Sequence, residues 1–167
     1  LMMRPITSAM FAAAITPLII ATLSSPRVLE AVVIVDDSKP SAIIQIAADP
    51  ARSANRAAAE LRHFIELMSG ARLKMYAGPD AVPEDLRGLP RLLVGRSQTV
   101  TDLGIDLPSG HDLEATREGF VLKTVGNDIV IAGNEDAAYR GTEYAVCELL
   151  EQLGCRWFFP GEFGQIV

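Results

Sequence analysis

The stretch from Asp136 to Glu162, DAAYRGTEYAVCELLEQLGCRWFFPGE, constrains the fold more than any other part of the chain. On a helical wheel Ala138, Thr142, Ala145, Val146, Leu149 and Leu153 fall on one side, with Arg140, Tyr144, Glu148 and Glu151 opposite. That spacing predicts a helix laying one apolar stripe on a core. Asn134 or Asp136 is placed to cap its start, and Gly154 to end it in the left-handed conformation. Cys155-Arg156-Trp157-Phe158-Phe159 is too apolar and aromatic for a loop and predicts a short strand, closed by Pro160-Gly161. A helix with one apolar face needs a second layer to cover it, and the remaining sequence supplies strands for that layer.

Val32 to Val35 and Ser41 to Ala48 are β-branched or alternating runs that predict strands, joined by a turn from Asp37 to Pro40. Adjacent Asp36 and Asp37 point apart at a strand end and read as solvated turn residues rather than an acid/base pair. Asn55 to Ser69 predicts the first helix, with Ala54, Ala57, Leu61, Phe64, Ile65 and Met68 toward the core and Gly70 as its stop. Leu73 to Tyr76 predicts another short strand. Gly78 to Pro90, with three prolines and two glycines, predicts an exposed connection. Arg91 to Gly95 is apolar enough for an inner strand. Ser97 to Leu103 predicts a helical turn or two, and Gly104 to Thr116 a loop. Glu118 to Val125 and Asp128 to Ala132 flank Gly126-Asn127, a dipeptide suited to a two-residue primed turn, and predict a hairpin. Gly141 costs a helix interior about 1 kcal/mol against alanine, and its place at the edge of the stripe suits a close approach of helix to sheet. The fold class expected is therefore α+β: a mixed sheet in a βαββαβ-like order with two main helices on one face.

Leu1 to Ala31 has the layout of a secretory signal peptide: Arg4, an apolar run from Ala9 to Leu23, then small and polar residues before Ala31. The apolar run is shorter than the roughly 20 residues of a membrane span. The expected organisation is a signal peptide over 1–31 and one domain over 32–167, exported to the periplasm or the extracellular space, with no membrane contact after cleavage. The chain has a formal net charge of −6 and a pI ≈ 4.9, and the assumed cleavage leaves it more acidic. Without a Lys/Arg cluster, that charge excludes nucleic acid as an expected partner. The two cysteines, Cys147 and Cys155, lie on either side of a helix end. Along a continuous helix that separation is about 12 Å, against the roughly 7 Å limit for a disulfide, so two free thiols are expected.

Residue patterns for chemistry are sparse. His63 falls on the solvated side of the first helix. His111-Asp112 sits in a Gly/Pro loop with no further histidine, CxxC, GxSxG or HExxH to join it. The sequence nominates no catalytic residue, no cofactor and no metal ligand. Glu148 and Glu151 read as a solvated helix face.

Four pieces together carry a family resemblance: AAAELRHFIELMSG (57–70), LLVGRS (92–97), GFVLKTVGNDIVIAGNEDAAYRGTEYAV (119–146) and LLEQLGCRWFFPGEFGQIV (149–167). The chain resembles the N-terminal α+β domain that precedes the catalytic barrel in α-glucuronidases of glycoside hydrolase family 67, related to the domain ahead of the barrel in β-N-acetylhexosaminidases. The resemblance implies a non-catalytic accessory domain of an exported hydrolase of polysaccharides such as xylan, packed on a downstream (β/α)8 barrel that holds the catalytic carboxylates. Glycoside hydrolysis uses two carboxyl groups about 5–10 Å apart, and no such pair is nominated here. Trp157, Arg156 and Phe159 are the residues expected at the domain interface or on a sugar. The alternative is a stand-alone carbohydrate-binding or interaction domain that uses the 157–159 aromatic patch, with Tyr144, on poly- or oligosaccharide.

Overall fold

The computed structural model describes residues 31–111, 117–158 and 164–167. The expected signal peptide therefore lies, except for Ala31, outside the described residues, as do Asp112 and Phe159. Among the described residues no helix is long and apolar enough to cross a membrane.

Five strands form one mixed sheet: β3 (Ile43–Ile46), β4 (Met75–Ala77), β5 (Arg91–Val94), β6 (Phe120–Val125) and β7 (Asp128–Gly133). Their order is β4-β3-β5-β7-β6. The first four of that order run parallel, with Ile44 opposite Met75 on one side and Leu92 on the other, and Leu92 opposite Ile129. Only β6 runs antiparallel, paired with β7 from Phe120–Gly133 to Val125–Asp128. The predicted hairpin is thus present. Gly126 has φ 60° while Asn127 keeps a negative φ, the pattern of a II′ turn, which glycine enters without a Cβ penalty.

Two helices cover one face. α1 (Arg52–Ser69) and α3 (Gly141–Gln152) pack on each other and on Ile44, Ile46, Leu92, Val94, Ile129 and Ile131. The short helix α2 (Gln98–Asp102), capped by the Ser97 hydroxyl accepting from the Val100 N–H, covers the other face. There Leu93, Val130 and Ala132 meet Val100, with Leu103, Ile105 and Leu107 behind it. Every residue of β3 and β7 is buried, as expected for strands with both faces covered. α1 ends at Gly70, φ 73°, whose N–H donates to the Glu66 carbonyl, and His63 is exposed.

Several boundaries differ from the sequence expectation. α1 starts at Arg52 rather than Asn55. Val32 to Val35 does not join the sheet. Only Val35–Asp36 (β1) is a strand; it pairs with Lys39–Pro40 (β2) through Asp37 and Ser38, both at positive φ. Val32, Ile34 and Val35 pack against the α1/α3 core cluster instead. α3 begins five residues later than its periodicity suggested. Ala137, at φ 53°, takes the chain out of helical geometry, so Asn134 and Asp136 do not cap it. The N-cap is Arg140, which makes no side-chain cap. Ala138 and Leu153, the outer members of the predicted stripe, lie beyond the helix ends and are exposed, while Leu150 is fully buried. The closing strand also leaves the sheet. β8 (Arg156–Trp157) pairs antiparallel with β9 (Gln165–Ile166) in a two-residue ladder, so the order is not βαββαβ.

Candidate functional site

The residues singled out by sequence sit just past α3. Gly154, at φ 114°, ends the helix, and the Cys155 N–H returns to the Leu150 carbonyl at 3.0 Å. Cys155 is buried with its Sγ 3.6 Å from Met68 Sδ. Both cysteines are free. Burial pushes both thiols above their usual range; for Cys147 the neighbouring Glu60, Glu151 and Glu143 add to it.

Arg156 is exposed, and its Nη1 donates to the Glu151 and Cys155 carbonyls, each at 2.6 Å. A cation there meets the negative end of α3. Trp157 is half-buried, with its ring edge-on to Phe64 of α1 at 5.3 Å between centroids. The structure thus places Trp157 against the core and Arg156 on the helix end. Phe158, the middle residue of the aromatic patch, is 69% exposed, and its N–H donates to the Gly164 carbonyl at 2.7 Å. Ile166 across the ladder and Leu153 at the helix end are exposed as well. This is an apolar edge on a two-strand ladder.

A second cluster forms where β5 and β7 end. Because these strands are parallel, Gly95-Arg96 and Asn134-Glu135-Asp136 emerge side by side, at the end of the sheet where open α/β folds hold ligands. Glu135 is the centre. Its Oε1 accepts from the Thr142 hydroxyl at 2.5 Å and from the Arg96 N–H at 3.2 Å, while Thr142 Oγ1 accepts from the Gly133 N–H. Burial raises the Glu135 carboxyl above its ordinary range and outweighs the hydrogen bonds from Thr142 and Arg96, which pull it down. The Arg96 fork reaches the Pro108 and Gly133 carbonyls and lies 3.6 Å from Asp136. Asp136 accepts from the Gly110 N–H at 2.7 Å, which holds its carboxyl below the usual range. Asn134 donates to the Gly110 carbonyl. His111 faces the Tyr139 hydroxyl at 3.2 Å.

Each bond in this cluster fastens a loop: 104–111 is tied to the ends of β5 and β7, and the 134–140 connection to α3. Glu135 and Arg96 are already bonded to one another's loops, so the arrangement acts chemically as a brace. Sequence reading missed it because its partners are 39 positions apart. The visible signal was two apolar strands that both give way at once to charged residues. Among the described residues no group of three or more His, Cys, Asp or Glu is placed to hold a metal ion. Compared with models of known protein families and with curated proteins, the chain matches none of them.

Proposed function

We propose that the chain is the non-catalytic accessory domain of an exported, carbohydrate-active glycoside hydrolase of the α-glucuronidase kind, docked by its C-terminal apolar edge on a (β/α)8 barrel. The observation that carries this reading is the edge itself. Phe158 is 69% exposed and Ile166 57% exposed on a ladder too short to be stable unaided. Large apolar side chains grouped at an edge mark an interaction surface. The mixed sheet with two helices on one face agrees with the resemblance carried by residues 57–70, 92–97, 119–146 and 149–167. Trp157 supports a packing role over a sugar platform, since its ring is already engaged by Phe64. The charged residues at the strand ends brace loops, consistent with a scaffold.

Two measurements test the proposal. Reading the coding sequence onward from Val167 should reveal a barrel-encoding segment, and an immediate stop codon counts against it. The full chain should release no 4-nitrophenol from aryl glycosides; turnover that a single carboxylate substitution abolishes would show the domain to be the enzyme.

A further inference from the structure

The five-stranded sheet has two outer strands, and they differ in what they offer. β4 is three residues long, whereas β6 runs for six at the other edge and is bonded on one side only, to β7. The Ile131 carbonyl of β7 accepts from the Gly95 N–H, on the β5 side, so its opposite residue Leu122 stands in a non-hydrogen-bonded pair. Alternation puts Phe120 and Thr124 in the same state. These three residues therefore aim their N–H and C=O groups outward, and among the described residues no strand receives them. Such a row is a template for one more strand.

The side chains beside that row form a groove. Leu122 packs on the α1/α3 core cluster, so Phe120 and Thr124 share its side of the sheet. On that side Glu118 and Phe120 meet Tyr144, Cys147, Glu148 and Glu151 of α3 around an open groove of about 440 Å³. The α3 members recur at helical spacing and make one stripe. Phe120 and Tyr144 keep 38% and 47% of their surface exposed, which leaves ring area for a visitor. A strand added to β6 sends every second side chain to this side. In that mode backbone bonds give affinity and alternate side chains give selectivity.

The charge of the groove says which side chains fit. Glu118 accepts from the Arg140 N–H at 2.7 Å and Glu148 from the Gln152 amide at 2.9 Å, both neutral donors. Among the described residues Glu118, Glu148 and Glu151 take part in no ion pair, and no lysine or arginine lines the groove. A lysine or arginine can lay its apolar stem on the two rings and its charge among the carboxylates. A second copy of the chain fits poorly. Two-fold pairing of β6 with itself sets the same patch against itself and brings like charges together.

We infer that the β6 edge and the groove beside α3 form a docking site for an extended segment of another protein, with lysine or arginine at alternate positions, which adds to the sheet as a further strand. The inference stands on the sheet edge and not on the accessory-domain reading. The test is fluorescence anisotropy of a dye-labelled octapeptide of alternating lysine and valine, titrated with the full chain. Expected is saturable binding that weakens with added salt, and none for the same peptide with glutamate in place of lysine. Methylating one alternate set of the peptide's backbone nitrogens should abolish binding and methylating the other set should leave it, because only one set faces β6. Glu148→Gln combined with Glu151→Gln should weaken binding by about fivefold with the urea midpoint unchanged. Thr124→Pro removes only an outward N–H, which an edge strand tolerates, and should weaken binding by about fivefold as well. The methylated peptides keep the test open if that variant fails to fold. No saturable binding, equal binding of the glutamate peptide, or equal effects of the two methylation patterns overturns the inference. A dimer in sedimentation that Thr124→Pro dissociates overturns it too, and gives the edge to a second copy. None of these outcomes depends on whether a barrel follows Val167.

Discussion

Two glycines set the tightest constraint in the chain. A Cβ on Gly133 would collide with the backbone of Gly141, and one on Gly141 would collide with the Gly119 carbonyl and stand 2.5 Å from the Asn134 nitrogen. The end of β7, the start of β6 and the first turn of α3 meet there main chain to main chain. Helix propensity alone favours Gly141→Ala by about 1 kcal/mol. Overpacking against backbone that has nowhere to move costs about 1–3 kcal/mol or more, so Gly141→Ala should lower stability in urea unfolding; a stabilised variant would refute the packing argument. The paired carboxyls nearby act in opposite senses. Glu135 has a folded value raised by burial, so its contribution is fully present below its unfolded value and is lost as pH rises through the folded one. Asp136 has a lowered folded value, so its contribution is present above the unfolded value and is lost as pH falls through the folded one. Glu135→Gln keeps the acceptor oxygen and should raise the urea midpoint at neutral pH relative to acid. Asp136→Asn should flatten the acid limb. Urea midpoints across the carboxylate range would show both, and a Glu135→Gln variant weakest at neutral pH would contradict this assignment.

At the scale of elements, α3 shows how far periodicity reaches. Its wheel named Thr142, Ala145, Val146 and Leu149 correctly, and all four are buried. The errors are Ala138 and Leu153, which continue the stripe in phase but past the ends, because a wheel has no knowledge of where hydrogen bonding stops. The left-handed turn at Ala137 is held by contacts to Gly110, far away in sequence. Leu150→Ala should therefore cost about 2–5 kcal/mol, while Leu153→Ala, 45% exposed, should stay within about 0.5 kcal/mol. Equal losses in chemical denaturation would restore the longer helix. Features set by neighbouring residues were legible: the Gly126 turn, the Gly70 stop, the short helix within Ser97 to Leu103 and the inner strand Arg91–Val94. Features set by distant partners were not. β1 and β8 have strand-like composition yet pair locally, with Lys39–Pro40 and Gln165–Ile166, rather than with the edge strands β4 and β6. The same limit explains the site residues: Trp157 and Arg156 were visible as types, but their engagement with Phe64 and with the end of α3 is tertiary.

Among the described residues, the five-stranded sheet carries helices on both faces, and the β8–β9 ladder presents an exposed apolar edge. If that edge exists to dock a barrel, Phe158→Glu should leave the urea midpoint of the isolated chain unchanged within about 0.5 kcal/mol. In a protein that carries the barrel it should loosen the domain, read as faster proteolysis at the junction between domain and barrel. A large loss of stability in the isolated chain would instead make Phe158 a core residue. The strand order carries a further consequence for biosynthesis. β5 sits between β3 and β7, and β7 ends 39 positions beyond the last residue of β5. A growing polypeptide therefore completes β4-β3-β5 while the edge of Arg91–Val94 still lacks its neighbour, an apolar ribbon open to pairing with any strand at hand. Stalled on the ribosome before Asp128, the nascent chain should recruit chaperones at that ribbon, and release them once the Gly126 hairpin has emerged and zipped against it.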